Sequence, residues 1–277
     1  MICVDHTVSN EKFIIVSCET CGFLLTNPRP SKESMGKYYE SEKYISHTNS
    51  AEGFFNWLYQ TIRRHTIKTK TKLLKKVTKR GKHLDIGCGT GEFLNSCKKN
   101  GFETEGIEPS KKAREKAINN YNLSVKENTD LSVFKECEFD SISMWHVLEH
   151  MHDLNKNISH LHRILKPGGK LIVAVPNHKC WEASYYKEKW AAWDVPIHLW
   201  HFCKKSITAL LNKNKFSLIK TKPMLFDSYY ISLLSEEITS GKKNFLKAIL
   251  VGSISNIIGN ITKRGCSSII YIFEKQN

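Results

Sequence analysis

Three glycines and two carboxylates are the residues in this sequence best spaced to do chemistry. Gly87, Gly89 and Gly91 alternate with Cys88 and Thr90 directly after a short apolar run, His83–Ile86. Glycine suits a loop whose backbone must approach a ligand closely or adopt positive φ. Asp85 lies inside the run, and Glu108 follows the loop at the spacing of an acid that accepts both ribose hydroxyls. The dinucleotide fingerprint G-x-G-x-x-G would need a small residue where Glu92 stands. Asp85 would repel a pyrophosphate and attract an ammonium. An acid for a ribose and an acid for an amino-acid ammonium together describe S-adenosylmethionine better than a dinucleotide. The expected cofactor contacts are Asp85, Gly87, Cys88, Gly89, Gly91, Glu108, Pro109 and Ser110, joined by Thr129, Trp145 and His146.

Methyl transfer from such a sulfonium needs an aligned nucleophile and a place for its proton. His146, Glu149 and His150 cluster just after the apolar run Phe139–Trp145. An imidazole there could take a hydroxyl proton near neutral pH, or it could only cap the following helix. A second cluster runs from Trp190 to Phe202, with Trp193, Asp194, His198, Trp200 and His201. It suits an apolar or aromatic acceptor with a few polar contacts, and equally a loop packed onto the sheet. His150, His146 and His198 are the catalytic candidates. Cys18 and Cys21 form one Cys-x-x-Cys pair, either a half-site that binds nothing or, with Cys3 as a third ligand, the remnant of a metal site. A zinc ribbon needs two pairs, and the second is missing.

Elements must hold these residues in place. Residues 54–80 have helical spacing, with Phe54, Trp57, Leu58, Ile62, Leu73, Leu74 and Val77 on one stripe. The opposite face carries Arg63, Arg64, Lys68, Lys72, Lys75, Lys76 and Lys79, the pattern of a solvated face. From Lys82 strands alternate with helices: strands at His83–Ile86, Thr104–Glu108, Leu123–Lys126, Phe139–Trp145, Leu171–Pro176, Phe216–Leu225 and Ser268–Phe273. Helices are expected at Glu92–Asn100, Ser110–Asn120 with Ser110 as N-cap, Asp153–Lys166 ended by Pro167-Gly168-Gly169, and Ser206–Lys213. This alternation means an α/β, Rossmann-like, doubly wound sheet. Residues 1–53 read as a turn-rich N-terminal extension, and 54–277 as one domain. That domain divides into the basic helix 54–80, a core 81–226, a helical insertion 227–265 and a last strand in 266–277. Asn244–Ile261 reads as an amphipathic or partly buried helix, either ordinary packing beneath the insertion or a lid or surface anchor for a lipophilic acceptor.

The 277 residues carry a net charge of +15, but Lys outnumbers Arg about five to one. Arg is the residue that reads guanine or grips phosphate bidentately, so nucleic acid is not the expected partner. No apolar run reaches the length of a membrane span, and no secretory pattern opens the chain. A cytoplasmic protein with reduced thiols is expected.

The motifs Asp85–Gly91, Gly106–Ser110, Phe139–His150 and Leu165–Leu171 resemble, in register, those of the class I S-adenosylmethionine-dependent methyltransferases. The resemblance covers about residues 80–275. It implies a seven-stranded sheet of order 3-2-1-4-5-7-6 with strand 7 antiparallel. Within that superfamily the chain is most similar to the small-molecule branch that includes ubiquinone-biosynthesis O-methyltransferases. This implies O-methylation of a small hydroxyl compound. The runner-up expectation is methylation of RNA or protein docked on the basic helix 63–82. In that branch the fourth strand continues Met-Glu-x-x-Glu-His and is associated with a divalent metal. Here His146 replaces the first Glu, and no metal is expected. The Asp194-x-Pro196-x-His198-x-x-His201-Phe202 stretch also resembles a pattern of this branch.

Overall fold

The computed structural model describes residues 1–39, 54–127 and 129–276. Residues 40–53 of the expected extension, and the side chains of Phe54, Trp57 and Leu58, lie outside the described residues. The elements, in chain order, are β1 (Ile2–Val4), β2 (Lys12–Ser17), β3 (Leu24–Asn27), α1 (Phe54–Val77), β4 (Lys82–Ile86), α2 (Glu92–Lys99), β5 (Glu103–Ile107) and α3 (Lys111–Tyr121). They continue with β6 (Val125–Lys126), β7 (Phe139–Trp145), α4 (Leu154–Ile164), β8 (Leu165–Pro176), α5 (Trp181–Tyr186), β9 (Trp200–His201), α6 (Lys204–Lys213), β10 (Phe216–Pro223), α7 (Leu225–Ser240), α8 (Phe245–Ile261) and β11 (Ser268–Lys275).

The main sheet has the order β6-β5-β4-β7-β8-β11-β10. Pairings from β6 to β8 are parallel, and β11 is antiparallel to both neighbours. This is the expected seven-stranded topology. The central strands carry consecutive apolar residues because helices cover both faces. Leu171–Val175 of β8 are all fully buried, and truncating Leu171 or Ile172 to alanine would cost about 2–4 kcal/mol. Ser110 caps α3 through its side chain, as expected.

Three local features differ from the sequence reading. Pro167-Gly168-Gly169 lies within β8 rather than ahead of it. Phe139 pairs with Leu165 and Ser141 with Lys170, so Lys166–Gly169 bulge outward between them, and Gly168 supplies the positive φ. β10 stops at Pro223, and the insertion starts with α7 at Leu225.

The third difference is the N-terminal region, which is a sheet rather than a turn-rich tail. β1, β2 and β3 form an antiparallel meander, and β9 joins it as the fourth strand through Leu24↔His201 and Leu25↔Trp200. Cys3, Phe13 and Ile15 of the meander pack with Trp190, Trp193, Ile197 and Leu199 in one apolar cluster. The stretch 1–39 is therefore built into the 190–202 loop.

α8 begins after an Asn244 side-chain cap. Its small residues Ala248, Gly252, Ser255 and Gly259 are buried. A methyl at Gly252 would meet Tyr229 of α7 at 2.8 Å. The two insertion helices thus pack backbone to backbone, leaving Leu246, Ile249, Leu250 and Ile257 exposed. Among the described residues, no helix is long and apolar enough to cross a membrane.

Candidate active site

The carboxyl ends of β4, β5 and β7 converge at the glycine loop. Gly87 and Cys88 donate their N–H groups to Ile107 O at 2.8 and 3.0 Å, tying the loop to the end of β5. Gly87 and Gly89 both have positive φ. A methyl at Gly87 would strike Val147 at 2.5 Å, so the loop lies against the exit of β7. A methyl at Gly89 would meet no protein atom within 4 Å. That is the open space a ligand needs beside bare backbone.

Gly91 has a different role from the one expected. A methyl there would collide with Leu123 and Ala117, at 2.7 and 2.8 Å. Its bareness lets α3 pack against the start of α2. Cys88 is also a packing residue: its sulfur would lie 2.8 Å from a methyl at Gly106, and burial pushes its thiol pKa up.

Glu108 is 8% exposed. Its Oε2 accepts from Gly89 N at 2.8 Å and its Oε1 from Ser110 N at 2.9 Å. Each oxygen keeps a further lone pair for a ribose hydroxyl. Pro109 O accepts from Arg114 at 3.1 Å, which fixes the turn after β5. Thr129 is exposed on the loop following β6, next to Asp130.

Asp85 is buried in β4, and burial raises its pKa to about 7, partly offset by a hydrogen bond from Ser143 and by Lys70. Behind it stands a residue that sequence reasoning missed. His83 is fully buried, with Nδ1 2.8 Å from Ser141 Oγ and Nε2 3.1 Å from Ser143 Oγ. Since Ser143 donates its proton to Asp85, the His83 Nε2–H must donate to Ser143. The relay holds the Asp85 carboxylate in one orientation.

Lys70 was also missed, because α1 reads as a solvated basic helix. Its Nζ lies 4.2 Å from the Trp145 ring centroid. Burial lowers its pKa, while Asp227 and Asp85 counteract. A half-buried lysine beside a buried aspartate matches the two ends of a zwitterionic amino acid. Arg63 ties α1 across the loop, contacting Glu92 at 2.6 Å and Thr90 Oγ1 at 3.1 Å. Glu92, the residue that breaks the dinucleotide fingerprint, is thus the anchor for this helix. The open side of Gly89, the ribose acid Glu108 and the Asp85–Lys70 pair fit S-adenosylmethionine.

On the acceptor side His146 has φ +57. Its Nε2 is 3.1 Å from Asp227 of α7 and its Nδ1 3.4 Å from Glu149. Burial opposes its charge, but the two carboxylates outweigh it and raise the pKa to about 9. A protonated imidazole has no lone pair to accept a proton, so of the three candidates His146 is the one whose two carboxylate partners hold its proton in place. His150 and His198 behave oppositely. Their ring centroids are 4.7 Å apart. Burial, with mutual repulsion, lowers His150 to about 4. Burial also lowers His198. Both are neutral imidazoles at pH 7.

Trp190, Trp193 and His201 take the packing alternative. Trp190 Nε1 donates to Glu182 at 3.1 Å, and Trp193 Nε1 to Lys187 O at 2.8 Å. His201 Nε2 contacts Thr26 Oγ1 at 3.0 Å, inside the N-terminal sheet. His198, together with Asp194, is the part of this loop that faces the β7 exit. Cys18 lies in the β2–β3 turn, five residues beyond the Phe13 that pairs with Cys3. At the strand rise this is about 16 Å, too far for one metal site.

The fold and the site together define a class I S-adenosylmethionine-dependent methyltransferase. Residues 59–221, more than half of the chain, match the family described as "Methyltransferase domain", and the chain belongs to it. Ubiquinone biosynthesis O-methyltransferase from Coxiella burnetii is 30% identical over 115 residues, covering 37% of this chain and 47% of that protein. The match spans about half the length of that relative. Among solved structures, 1,6-didemethyltoxoflavin-N1-methyltransferase of Burkholderia thailandensis aligns with TM-score 0.56 and 11% identity, over 99% of this chain and 100% of that one. A SAM-dependent methyltransferase from Thermotoga maritima aligns with TM-score 0.53 and 18% identity, over 80% and 97%. At these identities the two structures establish the fold alone.

Proposed function

We propose that this chain, working in the cytoplasm, methylates a hydroxyl of a small apolar or aromatic acceptor rather than nucleic acid or protein. The bound cofactor supplies an electrophilic methyl group on a sulfonium. Gly87, Gly89 and Glu108 hold its nucleoside, and Asp85 and Lys70 its amino-acid end. The observation that carries the acceptor assignment is the pairing of His150 with His198, whose ring centroids are 4.7 Å apart. His150 N donates to Val147 O, and Val147 abuts Gly87, which supports a position for the pair on the cofactor side of the β7 exit. Either can receive a hydroxyl proton as the nucleophile forms. The likeness to a ubiquinone-biosynthesis O-methyltransferase supports a hydroxyl as the accepting group.

Tritiated methyl groups supplied on the cofactor to purified protein and cell extract, followed by fractionation, test the reading. Label is expected in the small-molecule or lipid fraction. His150→Ala and His198→Ala should cut turnover roughly 10²–10⁴-fold if one is the base, with cofactor affinity nearly unchanged. Label in RNA or protein would overturn the acceptor class.

A further inference from the structure

The carboxyl edge of the main sheet carries a second concavity. β8 runs parallel to β7, so its end at Pro176 opens on the same edge as the glycine loop. There a cavity of about 440 Å³ is lined by His178, Lys179, Ser184, Lys263 and Arg264. That volume lies within the range of small-molecule sites, about 300–1,000 Å³. Three of the lining residues are cations and none is an acid.

The walls come from three segments locked together. His178 and Lys179 follow β8, Ser184 belongs to α5, and Lys263 and Arg264 link α8 to β11. Asn177 is buried and donates its side-chain amide to Arg264 O at 2.8 Å and to Cys266 O at 3.0 Å. A methyl at Gly265 would meet Ile269 at 2.8 Å, so the turn after Arg264 has no slack. Arg264 Nε donates to Lys179 O at 3.1 Å, and Nη2 to Cys180 O at 3.4 Å and to Ser184 Oγ. These acceptors are all neutral. They fix the guanidinium without cancelling its charge. Burial, and then the charge of Lys179, lower the His178 pKa to about 4. Arg264 is the only arginine beyond Arg163, so its place here is not part of the chain's general lysine enrichment. A planar fork held between two lysines can meet two oxygens of one phosphate. A phosphate ester, with a charge of about −1.5 to −2, matches three cations better than a carboxylate does.

We propose that this cavity binds a phosphate group, and that the group belongs to the methyl acceptor. The second half rests on the acceptor reading above; the first does not. His178 joins the two halves. It also lines a small pocket with His198, Trp200 and Phe202, and its backbone N–H donates to Phe202 O at 3.1 Å. An acceptor anchored by phosphate at Arg264 therefore extends along the loop that carries His198. The anchor would orient the acceptor and disfavour neutral compounds with the same hydroxyl. A soluble phosphoester and a lipid phosphate present the same oxygens to the cavity.

Pyrophosphate is titrated into the full chain by calorimetry, without cofactor or acceptor, at roughly physiological ionic strength. The expected result is one pyrophosphate per chain and binding at least about tenfold weaker in Arg264→Ala. Lys72→Ala/Lys76→Ala, which removes two exposed cations of α1, should leave it unchanged. If Arg264→Ala does not fold, Lys179→Ala/Lys263→Ala serves instead, since both side chains are exposed. No saturable binding, or an equal loss in the α1 variant, would overturn the site. For the acceptor, product labelled from tritiated cofactor in cell extract is passed over anion-exchange resin before and after phosphodiesterase and phosphatase treatment. Retention that the enzymes abolish is expected. Label in the aqueous phase then identifies a soluble phosphoester, and label in the organic phase a lipid phosphate. Label that is never retained, or retention that the enzymes leave intact, would overturn the acceptor half. Pyrophosphate bound as expected without any methyl transfer would instead contradict the function proposed above and leave the phosphate site standing.

Discussion

Thr26 of the N-terminal meander donates its hydroxyl to the backbone carbonyl of His198 at 2.7 Å, across 172 residues of sequence. The same oxygen receives His201 Nε2, and Thr26 N donates to Leu199 O. The loop that presents His198 to the β7 exit is thus held from behind by the first strands of the chain. Thr26→Val keeps the shape and removes the hydroxyl, stranding a buried carbonyl. It should lower stability by about 1–3 kcal/mol in urea titrations and raise the Michaelis constant for the acceptor. Thr26→Ser should restore most of both. An unchanged urea midpoint in the valine variant would refute the support role.

Gly89 separates ligand space from protein space. A methyl there touches no protein atom, but the φ of +55° is left-handed. Gly89→Ala should therefore cost only about 1–2 kcal/mol of stability, while calorimetry shows S-adenosylhomocysteine affinity falling steeply. Affinity equal to wild type would mean the cofactor does not approach this loop.

Glu108→Ala removes hydrogen bonds to an ionised acceptor, each worth about 1.5–3 kcal/mol. Affinity for S-adenosylhomocysteine should drop at least about tenfold by calorimetry. Because the carboxylate also holds Gly89 N and Ser110 N, the variant should lose amide protection in the loop too. A loss below about twofold would assign the ribose to another residue.

Glu182 of α5 provides a pH signature away from the chemistry. It is fully buried, with Oε1 accepting from Trp190 Nε1. Burial raises its pKa to about 7, against hydrogen bonds that lower it. A carboxyl group raised above its unfolded value near 4.5 favours folding at low pH. That contribution is lost as pH rises toward and through 7. Glu182→Gln keeps the acceptor and cannot ionise. Its melting temperature should match wild type near pH 4 and exceed it at pH 8. Parallel pH profiles for the two proteins would rule out this titration.

Much of the main sheet was legible because its signals are local. Gly87–Gly91 must sit in a tight loop, Ser110 caps the helix it precedes, and Phe139–Trp145 can only be a buried strand. The N-terminal sheet was not, because its strands are short and one partner, Trp200–His201, is remote in sequence. Lys70 was hidden by lysines of similar spacing on α1, and only the packing of Trp145 and Asp85 distinguishes it. His198 was visible as a candidate. Its juxtaposition with Glu149 and His150 depends on how the 190–202 loop folds back, which no local pattern encodes. Trp190 and Trp193 looked like pocket residues because aromatic composition is the same in a binding site and in a packed loop.

The pairing of β3 with β9 also dictates an order of assembly. At roughly 5–20 residues per second of synthesis, the partner of the first hairpin emerges on the order of 10–30 s after the hairpin itself. Throughout that interval Phe13 and Ile15 lack the loop that later covers them. The start of the chain is thus among the last parts to be completed, and the young polypeptide carries an apolar strand edge of the kind that chaperones hold.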